Sequence, residues 1–320
     1  MLKFIKAYGD IVLVFSLVGL LQFVLPIAFL IHVVIFSIYT MAFSFLMGRF
    51  GMVSFGQPAY LGIGAYATGL YLFYFGTSPY LGLLAGLVVG VIFSMLIGAV
   101  FVKLSSSYFT LANLALAAIT FFVFQRALMS ITRGDTGLWY LSRMSQAGPI
   151  NFRDPGQMFI FTLAIAVLVW ALMKYIDQSV YGATCLAVKV NETKLMFLGY
   201  NTFRIKWFGF VLGNSIAAFA GSLYAIYLGF VSPALVDVIN APEVVVVALV
   251  GGAGTLYGPL IGAIFYIAME DIVSVVFAYW ELVVGALLII VMYGGERGIM
   301  ALLESAFKFV WRKRKLPVNN

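Results

Sequence analysis

Long apolar runs recur along this chain and constrain its fold more than any other feature. A helix needs roughly 20 apolar residues to cross about 30 Å of hydrocarbon. Ten runs approach that length, although several are short: residues 11–25, 27–47, 58–75, 80–102, 108–131, 157–176, 206–231, 242–256, 258–277 and 280–293. The two runs that meet around residues 251–259 can also be one broken helix. We therefore predict an all-α polytopic membrane protein with about ten transmembrane helices, some of them broken by glycine.

The composition agrees with a membrane protein. Of the 320 residues, 63% are hydrophobic and 10% are charged, and the mean hydropathy is +1.07. A soluble domain carries about a quarter of its residues as charged side chains. A buried core alone does not explain so large a deficit of charge. The only cysteine, Cys185, excludes an internal disulfide.

Basic residues indicate which side each connection faces. An even number of spans puts both termini on one side, and Lys and Arg concentrate in cytoplasmic segments. With both termini cytoplasmic, that side receives most of the basic residues between the spans: Lys3, Lys6, Arg49, Lys103 and the segments 189–206 and 312–315. The segment 132–156 then lies outside, and its three arginines run against the rule. The net charge of +7 suits anionic lipid, so the lipid bilayer is the expected partner and nucleic acid is not.

Short connections predict one transmembrane domain over residues 1–320. Within it, residues 177–205 form the longest cytoplasmic connection, and residues 296–320 alternate apolar with basic residues. We interpret that tail as an amphipathic helix on the cytoplasmic surface. The sequence contains no G-x-x-x-x-G-K-[ST] phosphate loop and no recognisable nucleophile–base set or metal cluster. We therefore expect neither an enzyme nor a cofactor bound by this chain.

Two glycine-rich stretches interrupt the apolar runs. They read GRFGMVSFGQPAYLGIGAY from Gly48 and VGGAGTLYGPLIGA from Val250. Irregular backbone at membrane depth is tolerated where it lines a water-filled cavity, and paired broken segments point to a transport pathway. Small residues also allow close helix packing, and the residues alone do not separate the two readings. The candidate pathway residues are Ser54, Gly56, Gln57, Pro58, Gly62, Gly252, Gly254, Thr255, Gly258 and Pro259.

Isolated polar residues in the runs give a weaker signal. His32 is the only histidine, so a hydrogen bond between helices is a better interpretation than catalysis or metal binding. Glu243, Glu270 and Asp271 fall near predicted span ends, where water can reach them. A proton-coupled carrier normally buries an acid at mid-membrane, and the sequence reveals none.

The connection at residues 191–199, NETKLMFLG, has the pattern of a short surface helix. Asn191 can cap it, with Glu192 at its positive end. Gly199 can end it in a left-handed turn. Leu195, Met196 and Leu198 would form an apolar patch that another surface must cover, either the cytoplasmic ends of this chain or a soluble partner.

Several stretches resemble permease subunits of branched-chain amino acid ABC importers, specifically the M-type of the two sister permeases. Two of them are the glycine-rich stretches, the second extended at its start by VVVVAL. The others are KLSSSYFTLANLALA from Lys103, ITRGDTGL from Ile131, and YGATCLAVKVNETKLMFLGYNTFRIKWFGFVLGNSIAAFAGSLYAIYLGFVSP from Tyr181. The resemblance covers roughly residues 42–300 in the right order. It departs from the family pattern at Ala183, where a basic residue is usual, and at Gln57.

The resemblance implies a bacterial inner-membrane protein with four kinds of neighbour. They are a sister permease, two cytoplasmic ATPase subunits that use ATP and Mg, a periplasmic substrate-binding protein, and lipid. It also implies a coupling helix at about residues 187–198 that rests in a groove of the ATPase. The coupling residues are then Lys189, Asn191, Glu192, Lys194, Leu195, Met196, Leu198 and Gly199.

The expected cargo is a branched-chain or related hydrophobic amino acid, although family members also carry amides, urea and aromatic acids. Two other functions remain open from the residues alone. One is a self-contained secondary carrier, and the other a channel-like or scaffold subunit, for a small amide or aromatic solute.

Overall fold

A computed structural model describes residues 2–145 and 149–276, with isolated positions between 282 and 289. Eleven α-helices occur in the described part: α1 Leu2–Leu20, α2 Ile27–Phe50, α3 Gln57–Leu70, α4 Pro79–Phe101, α5 Ser106–Phe122, α6 Met129–Thr132, α7 Pro155–Gln178, α8 Val180–Phe197, α9 Thr202–Leu228, α10 Ala241–Gly251 and α11 Gly258–Val276. Wider π-helical turns extend α3 over Tyr71–Phe75 and α5 over Val123–Ala127. The predicted tail at 296–320 and most of the last predicted span lie outside the described residues.

Shorter elements connect the helices. The 3₁₀ turns are Leu21–Phe23, Gly134–Thr136, Leu141–Arg143, Pro233–Val236 and Val238–Asn240. Two short strands, β1 Leu138–Trp139 and β2 Phe230–Val231, pair antiparallel with Leu138 opposite Val231. The described structure is thus almost entirely helical, as the sequence predicts.

In the part of the chain that the structure describes, five helices are long and apolar enough to cross a membrane: Ile27–Phe50, Pro79–Phe101, Ser106–Ala127, Pro155–Gln178 and Thr202–Leu228. Two shorter apolar segments, Gly9–Phe23 and Val238–Gly251, accompany them. A polytopic membrane protein is therefore confirmed, while the number ten is not settled by these lengths.

The helices alternate in direction. Helices α2 and α9 are antiparallel, because Gly209 lies against Phe50 at one end and Tyr227 donates a hydrogen bond to the Ala28 carbonyl at the other, at 3.3 Å. The first of these ends, where α2 stops, α8 lies and α9 starts, is called the α8 end. The opposite end, which carries the strands, is called the strand end.

Helices α2 and α9 form the centre of the bundle, and glycines let their neighbours approach closely. A Cβ added at Gly64 of α3 would lie 1.8 Å from the Ala218 carbonyl oxygen of α9, and one at Gly221 would lie 1.9 Å from that of Leu61. Helix α4 presents Gly82, Gly86 and Gly90 to α3 and α9. Such small-residue faces provide the van der Waals packing that holds membrane helices together.

Helices α10 and α11 form a hairpin, so the alternative of a single broken helix is wrong. Gly251 packs against the Gly258 carbonyl, and Gly262 packs against the Val247 carbonyl. Antiparallel contact of this kind needs a turn, which glycines with positive φ provide at Gly252 and Gly254. Helix α10 has 11 residues, about half the length needed to cross hydrocarbon. The 3₁₀ turns that precede it pack on α3 through Val236 and Gly62.

The arginines that run against the positive-inside rule hold the strand end together. The guanidinium groups of Arg133 and Arg143 lie 4.6 and 4.5 Å from the centre of the Phe73 ring. Arg143 also donates to the Phe73 carbonyl. Arg153 donates to two further carbonyls, those of Ser142 and Met144. Arg133 and Arg143 thus fasten the connection between α5 and α7 to the end of α3, and Arg153 holds that connection to itself.

Candidate functional site

Helix α8 changes direction at Asn191, where a short second helix begins. The backbone of Asn191 is non-helical, with φ −160° and ψ 93°. Its carboxamide oxygen accepts a hydrogen bond from the Lys194 N–H at 2.9 Å. Gly199 has a φ of +84°, and its N–H donates to the Met196 carbonyl. Both the predicted cap and the predicted left-handed stop are confirmed.

The exposed face of this short helix differs from the predicted one. Leu195 is only 7% exposed, so its assignment to the contact patch is wrong. Met196, Leu198 and the unpredicted Phe197 are 50%, 73% and 87% exposed. The kink at Asn191 sets which side of the helix faces outward, and the sequence does not specify the kink angle. Phe197 stands between the predicted Met196 and Leu198, so the unbroken apolar run LMFL at residues 195–198 was the available signal.

The charged neighbours of the exposed apolar face fasten α8 to the membrane helices. The Lys189 ammonium donates to the Gly48 carbonyl at 3.1 Å, near the end of α2. Glu192 forms a salt bridge of 2.7 Å with Lys206 of α9. Arg49 of α2 forms another with Asp177 at the end of α7, at 2.5 Å. Helix α8 is therefore tied to α2 and α9, while the Arg49–Asp177 pair joins α2 to α7 beside it.

The first glycine-rich stretch is packed inside the chain. Ser54, Gly56, Gln57, Pro58 and Gly62 are all buried. A Cβ at Gly56 would lie 2.5 Å from the Asn113 carbonyl oxygen of α5. In this conformation the stretch packs between helices, which is the packing interpretation left open by the sequence.

An amide pair lies at the start of this stretch. The Gln57 side chain donates to the Asn214 carboxamide oxygen at 3.1 Å, and both residues are fully buried. The Gln57 oxygen and the Asn214 nitrogen that remain have no hydrogen-bond partner. Buried amides normally satisfy more of their groups. The pair therefore has capacity for a further polar group.

The second glycine-rich stretch lies at the α8 end. The Gly254 N–H donates to the Ser44 hydroxyl at 3.1 Å, and Gly48 lies directly against Gly254. The Thr255 hydroxyl donates to the Gly252 carbonyl and accepts from the Gly258 N–H, just before Pro259. This stretch packs on α2, whereas the first packs on α5 and α9. The two candidate pathway stretches are thus placed on different neighbours.

A cavity of about 140 Å³ opens between α2, α3, α9, α10 and α11. Pro58 and Leu61 of the first glycine-rich stretch contribute to its wall. The aromatic side chains of Phe36, Tyr39, Tyr224 and Tyr266 surround it, together with His32, Glu243 and Glu270. The His32 ring stacks on Tyr224 with 5.6 Å between ring centres.

The amino-acid sequence of the chain is similar to those of known proteins. A family model described as "Branched-chain amino acid transport system / permease component" matches residues 25–292. The chain belongs to this family.

Named permeases of the family match over much of the chain. The high-affinity branched-chain amino acid transport system permease protein LivM of Salmonella typhimurium is 25% identical over 301 residues, covering 86% of this chain and 69% of LivM. Escherichia coli LivM is 24% identical over 305 residues, with the same coverage. The autoinducer 2 import system permease protein LsrC of Klebsiella pneumoniae is 28% identical over 197 residues, or 57% of each chain. No solved structure matches. The resemblance to the M-type permease is confirmed.

The family is described as a permease component of a transport system, and that role is not itself catalytic. No cluster of potential metal ligands occurs among the residues that the structure describes.

Sequence reasoning missed the cavity of this permease. It placed Glu243 and Glu270 near water at span ends, yet both line the cavity together with His32. Residues more than 200 positions apart form this wall, and no local pattern joins them. Asp271 is exposed, as expected.

Proposed function

We propose that this chain is one of two membrane subunits of an ABC importer in the bacterial inner membrane. It would form half of a pathway for branched-chain or related hydrophobic amino acids. The observation that carries the proposal is the match to LivM proteins over 86% of the chain. The carrier and channel alternatives are not favoured, because the matching relatives are named as permeases of transport or import systems.

The partners follow from this role. A sister permease would complete the pathway, and the partial match to Escherichia coli LivH, 25% over 193 residues, supports a pair of related subunits. Two cytoplasmic ATPase subunits would use ATP and Mg, and a periplasmic binding protein would deliver the solute. This chain itself would bind no cofactor.

The membrane arrangement would be a single domain over residues 1–320 with ten spans and both termini cytoplasmic. The alternating helix directions support it. So does the concentration of basic residues at the α8 end: Arg49, Lys103, Lys174, Lys189, Lys194, Arg204 and Lys206. This excess of positive charge marks a cytoplasmic face. The connection at 177–205 and the basic tail at 296–320 would lie on that side.

Helix α8 would transmit the motion of the ATPase. Its exposed apolar face, made of Met196, Phe197 and Leu198, suits a groove on a soluble partner. Its ties through Lys189 and Glu192 would pass a displacement directly to α2 and α9. The remaining predicted coupling residues, Asn191, Lys194, Leu195 and Gly199, would set the shape of this helix rather than all touch the partner.

The pathway would run beside the glycine-rich stretches. Gln57 and Pro58 are the best placed of the predicted pathway residues. The Gln57 carboxamide oxygen has no hydrogen-bond partner, and Pro58 borders the cavity. The glycines would allow the surrounding helices to pack closely and to change their packing during transport.

Reconstitution tests the proposal. The chain alone in liposomes should accumulate no leucine under proton or sodium gradients. The complete complex, with ATP inside the vesicles and binding protein outside, should do so. Gradient-driven uptake by the chain alone would contradict the proposal, and a panel of branched-chain, aromatic and amide solutes would define the cargo.

A further inference from the structure

The cavity between α2, α3 and α9–α11 combines aromatic rings with two carboxylates. Glu243 lies in the first turn of α10, and Glu270 lies in the C-terminal half of α11. Both line the cavity. Among the residues that the structure describes, neither carboxylate forms a salt bridge or a hydrogen bond.

Unpaired carboxylates in the wall of a largely aromatic cavity call for a counter-charge. Ionisable residues inside a membrane bundle are expensive, and they normally face a water-filled cavity or pair with an opposite charge. Among the described residues that line the cavity, His32 is the one basic side chain, and it stacks on Tyr224 rather than pairing with either carboxylate. Within the described chain, no cation satisfies the two acids.

Tyr39 gives a second, independent indication. It lines the cavity and is only 4% exposed. Its hydroxyl makes no hydrogen bond to any residue in the described part of the chain. A buried hydroxyl without a partner is costly, and it is usually satisfied by water or a ligand.

We propose that this cavity binds the ammonium group of a small, mostly apolar solute. Glu243 and Glu270 supply the negative charge, and the rings of Phe36, Tyr39 and Tyr224 surround the cation. Aromatic faces attract cations, and the attraction grows as water is excluded. The Tyr39 hydroxyl accepts a hydrogen bond from the ammonium group.

The size of the cavity limits the solute. An apolar protein cavity of about 150 Å³ takes up benzene, and this cavity has about 140 Å³. A short branched amine such as 3-methylbutylamine has about as many non-hydrogen atoms and therefore fits. The place of this site on a transport path rests on the proposed function, but binding itself does not require ATP.

Equilibrium binding of radiolabelled 3-methylbutylamine to the full chain in nanodiscs tests the proposal. The amine should bind, whereas 3-methylbutanol and 3-methylbutanoate should not compete for it. Glu243→Gln and Glu270→Gln keep the shape of each side chain and should each weaken binding by about tenfold or more, the change expected on losing one charge-assisted contact. Asp271→Asn, an exposed neighbour outside the cavity, should weaken binding much less than either glutamine variant.

The outcomes separate this proposal from the proposed function. Equal competition by the alcohol, equal loss in Asp271→Asn, or absence of amine binding would overturn it. Loss of amine binding when the sister permease is added would also overturn the proposal. A basic side chain of the sister permease would then pair with Glu243 and Glu270 in place of the amine. If ATP-driven leucine uptake persists in both glutamine variants, the importer function stands, and the cavity does not lie on the transport pathway.

Discussion

Asn191 and Lys194 are joined by a hydrogen bond of 2.9 Å, from the Lys194 N–H to the Asn191 carboxamide oxygen, across a kink in α8. The kink starts a separate helical turn that ends at Gly199. It also aims Phe197 outward while Leu195 stays buried. A single cap thus determines which side chains the α8 end offers to a partner.

Replacing Asn191 with Ala should loosen the short helix. Loss of a side-chain cap destabilises a helix by about 1 kcal/mol. We expect faster amide hydrogen exchange over residues 192–198, with weaker stimulation of ATPase activity by the transported solute. Asn191→Asp, which keeps an accepting oxygen, is the control and should behave like the native chain. Unchanged exchange in Asn191→Ala would show that tertiary contacts alone hold the turn.

Gly48→Ala should displace the α10–α11 hairpin. A Cβ at Gly48 would lie 2.3 Å from the Gly254 Cα, so backbone must move. Overpacking of this kind destabilises proteins by about 1–3 kcal/mol. A lower melting temperature of the purified chain is the expected result. Gly9→Ala is the matched control, since nothing lies within 4 Å of its added Cβ. Equal melting temperatures in the two variants would contradict the close contact.

The amide pair of Gln57 and Asn214 should respond non-additively to mutation. Each single Leu variant leaves the other amide buried without its partner, which should cost about 1–3 kcal/mol of stability. The double Leu variant removes both amides and should recover much of that loss. If the pair also contacts solute, the double variant will fold but import poorly. Normal import by the double variant would assign the pair to packing alone.

Cys185 should be a poor nucleophile while α8 stays docked. Burial raises the pKa of its thiol to about 11, so at pH 8 only about one thiol in a thousand is ionised. Maleimide labelling should be slow and should accelerate as pH rises. A Cys185→Ser chain carrying the exposed Thr193→Cys should label rapidly at pH 8. Equally rapid labelling of Cys185 would mean that α8 detaches from its neighbouring helices.

Local features of this fold were readable from the sequence. The apolar runs located most of the long helices to within a few residues, with α9 at Thr202–Leu228 against a predicted 206–231. Helix α1, Leu2–Leu20, is the exception, because it begins well before the predicted run at 11–25. The Asn191 cap and the Gly199 turn followed from residue type alone, because each depends on a few adjacent atoms. The two glycine-rich stretches also share a spacing: Gly51 and Gly252, both with positive φ, each stand seven residues before the proline of the next helix.

The sequence does not predict the features that depend on contacts between residues far apart in the chain. The hairpin of α10 and α11 needs the approach of Gly251 to Gly258, and the burial of Leu195 needs the kink angle at Asn191. The cavity joins His32 to Glu243, which are far apart in the chain. For the same reason, the sequence does not predict the close packing of Gly56 against Asn113, which depends on how α5 lies against the first glycine-rich stretch.

The most direct test of the proposed coupling is ATP-driven leucine uptake by the complete complex carrying Phe197→Asp or Phe197→Leu. Both variants change a side chain that is highly exposed in the isolated chain, so neither should unfold it. An acid buried in an apolar contact should cost a few kcal/mol, and each 1.4 kcal/mol is about tenfold in affinity. We predict that Phe197→Asp loses the ATPase on purification and loses uptake, while Phe197→Leu keeps both. Normal uptake in Phe197→Asp would contradict a coupling role for this face of α8.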